Sequence, residues 1–132
     1  MPTTMPENFS DLFEKKAFAH IATIMKDGTP HVSPVWCEFD GTHVLINSAK
    51  GRVKDLNMRR DPHVALSIQD PEKPYRYLSI RGEVVEITEN GADEHIDSLA
   101  KKYMGVDKYP KRQTGEVRVK YKIRPDRFFT MG

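Results

Sequence analysis

Apolar and polar residues alternate with a period of two along most of this chain and switch to a helical period over three short stretches. In "ENFSDLFEKK", Phe9, Leu12 and Phe13 stand at i, i+3 and i+4, which predicts a short amphipathic helix after a loose, proline-containing start at residues 1–6. The runs "AFAHIATIM", "TPHVSPVWCEF" and "THVLINS" predict three strands. They are joined by Asp27-Gly28 and Asp40-Gly41, dipeptides that accept the positive φ angles of tight hairpins, so the three strands form an antiparallel meander. Pro30 and Pro34 each remove a ladder donor, which places the second strand at an edge or gives it a bulge.

"GRVKDLNMRR" predicts a second short helix, with Val53 and Leu56 on one side and an end before Pro62. "HVALSIQ" alternates as a strand, and "YRYLSIRGEVVEIT" is a long strand with Gly82 at a bend or close approach. Ala92, Ile96, Leu99, Ala100 and Tyr103 recur at helical spacing behind acidic Asp93 and Glu94, and Gly105 follows the last turn. "GEVRVKYKIRP" sets Val117, Val119, Tyr121 and Ile123 against Arg118, Lys120, Lys122 and Arg124, a strand with one cationic face, and "DRFFTM" supplies a last strand. Strands outnumber helices about two to one without regular β-α-β alternation, which favours a small antiparallel barrel with peripheral helices over a doubly wound sheet.

Composition narrows this. The 132 residues, 38% of them hydrophobic, suit a single domain over residues 1–132 with a modest core. Charged residues make up 30%, but 21 Lys and Arg face 19 Asp and Glu, so only local clustering of charge can mark a site. The lone Cys37 suits a reducing compartment and rules out cysteine zinc sites. Apolar runs are too short to span a membrane, and "MPTTMPENFSDLF" lacks the charged and apolar regions of a secretory signal, so a cytoplasmic, soluble protein is expected.

The densest cationic cluster is in "INSAKGRVKDL", where Lys50, Arg52 and Lys54 follow Ser48 and surround Gly51. Cations near a helix N-terminus each oppose the dipole by roughly 0.3–1 kcal/mol. Two readings stay open: a solvated helix face, or a seat where cations, a hydroxyl and helix N–H groups hold a phosphate or carboxylate. The cluster is neither a Walker loop nor a dinucleotide fingerprint. The five histidines are at least 11 positions apart, which argues against a metal site. Neither Ser33, Ser48 and Ser79 nor Cys37 sits in a nucleophile motif, and no catalytic side chain is assigned. Trp36 is either core or the wall of a ring-binding slot. The cationic strand face could track a nucleic acid backbone, but Tyr121 lies on its other side, so the aromatic half of such a device is missing, which favours a solvated face or a contact with an anionic cofactor tail across a dimer.

The succession of the meander, "INSAKGRVKDLNMRRDPHVALSI", "IRGEVVEI" and "KKYMGVDKYP" resembles the pyridoxamine-phosphate-oxidase-like split β-barrel proteins, closest to their deazaflavin-dependent reductases. The resemblance runs from about Phe9 to Met131. It implies a mainly β, six- to seven-stranded antiparallel split barrel of the FMN-binding type, forming a homodimer with cofactor sites at the interface. It also implies cofactor contacts at Ser33, Pro34, Val35 and Trp36 beside the ring and at Ser48, Lys50, Gly51, Arg52 and Lys54 beside the phosphate. Tyr77 maps near the ring, and Lys108 and Tyr109 map to a contribution from the partner chain. The chain is too short for the C-terminal extension of true pyridoxamine-phosphate oxidases, which argues against vitamin-B6 oxidation. The implied activity is hydride transfer from reduced coenzyme F-420, a deazaflavin, to an electron-poor small molecule, with neither nucleic acid nor membrane as partner. The alternatives are an FMN-binding oxidoreductase of the same fold and a non-catalytic flavin- or tetrapyrrole-binding module.

Overall fold

The computed structural model describes residues 4–132. Of the loose start expected at residues 1–6, residues 1–3 lie outside the described residues. Met5 packs against the core, and the Pro6 carbonyl accepts from the Phe9 N–H at 3.0 Å. The first helix, Glu7–Phe13, is a 3-10 helix that buries Phe9, Leu12 and Phe13.

Seven antiparallel strands follow: β1 (Ala19–Ile24), β2 (Pro30–Val35), β3 (Cys37–Phe39), β4 (Val44–Ala49), β5 (His63–Gln69), β6 (Tyr77–Thr88) and β7 (Arg118–Met131). Helix α1 (Val53–Arg60) links β4 to β5, and α2 (Ala92–Met104) follows β6. The sheet order is β2-β1-β5-β6-β7-β4-β3. The first and last strands of that order are therefore neighbours in the chain, separated only by Trp36. A sheet whose two ends are joined by one residue must curl, and the result is a barrel split along the line where β2 and β3 meet without pairing. The "TPHVSPVWCEF" run is thus two strands, because its first half ladders onto β1 and its second half onto β4. Pro30 and Pro34 sit on the edge strand β2, where a missing ladder donor is tolerated.

Inward residues of all the strands make one core, with Tyr121, Phe128, Ile46, Ile80 and Ile123 among its largest fully buried side chains. The 3-10 helix closes one side of it. Arg76 reaches Asp11 at 2.7 Å and Asp70 at 2.9 Å, and Lys15 reaches Asp70 at 3.1 Å. The N–H of Glu72 and these two cations, working against burial, hold the Asp70 carboxyl far below the usual range. This network ties the helix to the β5–β6 loop.

Strand β7 runs unbroken from Arg118 to Met131, so the two strands expected from its sequence are one. Pro125 does not interrupt it, because it stands opposite Gly82, next to a register shift between Arg81 and Gly82 where the ladder is already irregular. At Gly82 a Cβ would lie 2.4 Å from the Arg124 carbonyl oxygen, which accounts for glycine in the middle of the longest strand pair. We expect Gly82→Ala to destabilise the protein by about 1–3 kcal/mol through this overpacking, measured by urea unfolding. An unchanged midpoint would mean that the two strands can separate here at no cost.

Candidate functional site

The split at Trp36 leaves the ends of β2 and β3 without each other as partners, and α2 supplies partners at the start of β3. The Tyr103 hydroxyl donates to Ala17 O at 2.7 Å and accepts from the Cys37 N–H at 3.2 Å. The Lys102 ammonium donates to Cys37 O at 2.8 Å and to Phe13 O. The Tyr103 ring stacks on Trp36, with centroids 5.2 Å apart and planes 6° from parallel, and Tyr109 meets Trp36 edge-on at 5.9 Å. Burial pushes the Cys37 thiol up to about 11, so it is an inert core group rather than a nucleophile.

A cleft of about 220 Å³ opens beside this junction. Its apolar lining is Phe18, Trp36, Ile96, Met104 and Tyr109. The same cleft carries Arg52, Lys54, Lys111 and Arg118, and the Arg118 guanidinium lies over the Tyr109 ring. Four cations there face one carboxylate: Glu116 Oε1 lies 3.3 Å from both Arg52 and Arg118. Lys54 is half-buried and, among the described residues, has no carboxylate partner; its ammonium donates to Ser33 Oγ at 3.2 Å. Burial first, then the adjacent charges of Arg52 and Arg118, pull its pKa below the ordinary lysine value. A cation set short of counter-charge in a partly desolvated cleft is built to receive an anion.

Helix α1 holds these groups by an inverted pattern. Val53 and Leu56 are 45% and 53% exposed, whereas Asp55, Asn57 and Met58 are buried. The expected apolar side is therefore the outer one, because polar bonds rather than apolar burial anchor this helix. Asn57 Nδ2 donates to Thr23 Oγ1 at 3.0 Å, and Asp55 accepts from the Tyr121 hydroxyl at 2.6 Å, Arg59 Nε at 3.0 Å and the Gly51 N–H at 2.9 Å. Asp55 thus occupies the Gly51 amide in the turn before the helix, and the cleft presents side-chain cations in its place. Gly51 itself stands at φ +92°, a turn conformation that favours glycine.

Of the residues expected from sequence, the structure brings Pro34, Val35, Trp36, Arg52, Lys54 and Tyr109 to one cleft, with Ser33 at its rim. Ser48 is buried behind it with no hydrogen bond to its Oγ, and Lys50 pairs with Glu89 at 3.1 Å on the surface. Lys108 pairs with Asp97 at 3.5 Å, and Tyr77 lies on the outer sheet face against Phe129. Sequence reasoning missed Arg118 as a site residue. Alternation put it on a cationic face, either solvated or touching a cofactor tail across a dimer, yet it is 4% exposed and turned to the cleft of its own chain by Asn47 and Glu116. Asn47 also lines the cleft, and the only hint of it in the sequence was a polar residue inside the apolar run "VLIN".

The family described as pyridoxamine 5'-phosphate oxidase matches residues 5–132. Among solved structures, an F-420 reductase shares 32% identity at a TM-score of 0.83, covering 95% of this chain and 98% of that one. A conserved hypothetical protein from Mycobacterium tuberculosis shares 25% identity at 0.74, covering 98% and 86%. A putative pyridoxamine 5'-phosphate oxidase from Listeria innocua shares the fold at 22% identity and 0.63, covering 86% of each chain. No curated protein matches. Among the described residues no helix is long and apolar enough to cross a membrane, and no cluster of potential metal ligands occurs.

Asp55 offers a pH test of this scaffold. Burial opposes its ionisation, but the Gly51 N–H, the Tyr121 hydroxyl and Arg59 outweigh that and hold its carboxyl below the ordinary range. A depressed carboxyl stabilises the fold fully above the unfolded value of about 4 and loses that contribution as pH falls through the folded value. Asp55→Asn should therefore cost about 1.5–3 kcal/mol at pH 7 and less at pH 3, read from urea midpoints at both pH values. Equal losses at the two pH values would exclude a charged role.

Proposed function

Because the chain belongs to the pyridoxamine 5'-phosphate oxidase family, we propose that its cleft binds a ring-bearing phosphate ester, reduced coenzyme F-420, and that the protein is an oxidoreductase acting on an electron-poor small molecule. The observation that carries this reading is that one cleft combines aromatic walls at Trp36 and Tyr109 with the cations Arg52, Lys54 and Arg118. A flat apolar ring and a phosphate on one ligand call for that combination. The similarity to an F-420 reductase favours the deazaflavin over FMN, and the four cations suit an acidic tail as well as a phosphate.

In this reading Arg52, Lys54 and Arg118 hold the phosphate, and the β2 backbone at Pro34 and Val35 with Trp36 seats the ring. The bound deazaflavin supplies a two-electron hydride donor. The chain itself binds, orients and excludes water. The aromatic wall removes solvent from one side of the ring, and the cations keep the anionic end away from the acceptor.

A volume of about 220 Å³ lies below the roughly 300–1,000 Å³ of most ligand pockets, so one protomer alone makes an incomplete site. The outer sheet face supports a homodimer that would complete it. Pro34, His20, Ser67, Ser79 and Phe129 lie in register across five strands, and Ala22 and Ala65 pair in the next row. The Ser and Ala side chains of these rows are small, which lets a second copy approach closely, and a two-fold dimer is the commonest closed assembly. Tyr77 is on that face and in this reading would lie toward the second protomer.

Two measurements test this reading. Parallel titration with F-420 and FMN should show tight F-420 binding, which Lys54→Glu weakens at least tenfold, about 1.4 kcal/mol. Binding of FMN alone would overturn the choice of cofactor, and unchanged affinity in folded Lys54→Glu would remove Lys54 from the phosphate site. In sedimentation, Ala65→Arg should turn a dimeric parent into monomers and abolish cofactor binding with it. Monomers that retain full affinity would exclude a shared site.

A further inference from the structure

From the cleft wall at Arg118 and Asn47 a line of buried polar groups runs to His95, which cofactor contact does not explain. We infer that His95 is a positioning residue for the Arg118 guanidinium, acting through the side-chain amide of Asn47; the inference rests on the reading of the cleft as an anion site.

The Asn47 amide is buried between β4, β7 and α2, and all its bonding capacity toward these elements is used. Its Nδ2 donates to Ala92 O at 2.9 Å and to His95 Nδ1 at 3.1 Å, while its Oδ1 accepts from Arg118 Nε at 2.9 Å. Reversing the amide would set Oδ1 against the Ala92 carbonyl and an N–H against the Arg118 N–H. Both contacts would repel, so the amide has one allowed sense. That sense determines the histidine. Facing an N–H, His95 Nδ1 must be the bare nitrogen, and the ring proton sits on Nε2. Nε2 lies 2.7 Å from Glu38 Oε1, though out of line for a hydrogen bond.

Arg118 is therefore fixed at its Nε by a neutral acceptor, and its guanidinium lies across the Tyr109 ring at 5.1 Å. Its Nη1 is buried and makes no hydrogen bond, although Glu116 Oε1 is 3.3 Å away. A buried, aimed and underused donor on the wall of a cleft is what an incoming anion would satisfy. Without the acceptor at His95 Nδ1, one Asn47 N–H would be buried without a partner. The amide would keep its sense through Ala92 and Arg118 but lose one of its three anchors, so the acceptor that fixes Arg118 would be held less firmly.

The test is a set of substitutions titrated with F-420 and FMN in parallel, with thermal unfolding as the check on folding. His95→Leu, which removes the acceptor, should weaken the cofactor that the parent binds by about tenfold. His95→Asn carries an oxygen near the place of Nδ1 and should return affinity to within about threefold of the parent. In an Arg118→Met background, His95→Leu should cause no further loss, since its effect passes through Arg118. If His95→Leu melts early, His95→Gln replaces it, being polar but without an acceptor at the Nδ1 position.

Parent-like affinity in the acceptor-free variant would overturn the inference. So would a folded His95→Asn as weak as His95→Leu, or losses at 95 and 118 that multiply. A parent that binds neither cofactor but does bind inorganic pyrophosphate would sink the proposed function alone, and the same series read with pyrophosphate would decide the role of His95. A parent that binds none of the three overturns both.

Discussion

One residue, Trp36, separates the two strands that stand at opposite ends of the sheet order. The chain passes from β2 to β3 without the two strands pairing, so the sheet has to curl until its ends meet there. At Cys37, on the β3 side of the seam, backbone groups lose the partners that a continuous ladder would give, and α2 replaces them with the Tyr103 hydroxyl and the Lys102 ammonium. The helix that seals the seam therefore also stacks on Trp36 and builds one wall of the cleft.

The cleft gathers charge that the fold does not need. Lys54 and Lys111 have no carboxylate within reach among the described residues, and Arg52 and Arg118 share Glu116. Packing like charges into a half-buried space works against folding, and α1 carries much of the compensation through polar anchors. Asp55 and Asn57 face inward to bond with Tyr121 and Thr23, which leaves Val53 and Leu56 outside. Function and stability meet on this short helix. The residues that hold it down are interleaved with those that face the cleft.

Much of the fold was legible because alternation and turn chemistry are local. The Asp-Gly turns, the alternation of Val64, Leu66 and Ile68, and the α2 stripe of Ala92, Ile96, Leu99, Ala100 and Tyr103 all appear as expected. The break at Trp36 was not legible, because "PVWCEF" reads as one run whose halves differ only in that the first pairs back to β1 and the second forward to β4. At the site, Trp36, Arg52 and Lys54 could be named from a compact motif and its resemblance to known split barrels. Arg118 could not, since its burial comes from Asn47, 71 residues away in the chain, and an alternating strand gives no sign that one cation of four turns inward. The reversed face of α1 was hidden for the same reason: Asp55 and Asn57 look like surface residues until Tyr121 and Thr23 are beside them.

The seam at Trp36 also sets how the chain can fold. β2 with β1 and β3 with β4 are local hairpins that can form early, but β4 must also pair with β7, more than 60 residues further on. Closing the barrel therefore waits for that distant ladder. Such non-local pairing puts folding in the slow, millisecond-to-second regime of all-β domains, on the order of 10³-fold slower than a helical bundle of this size. The pocket thus depends on contacts of long sequence separation, Trp36 on Tyr103 and Asn47 on Arg118, although several of its residues lie within a few positions of one another in the sequence.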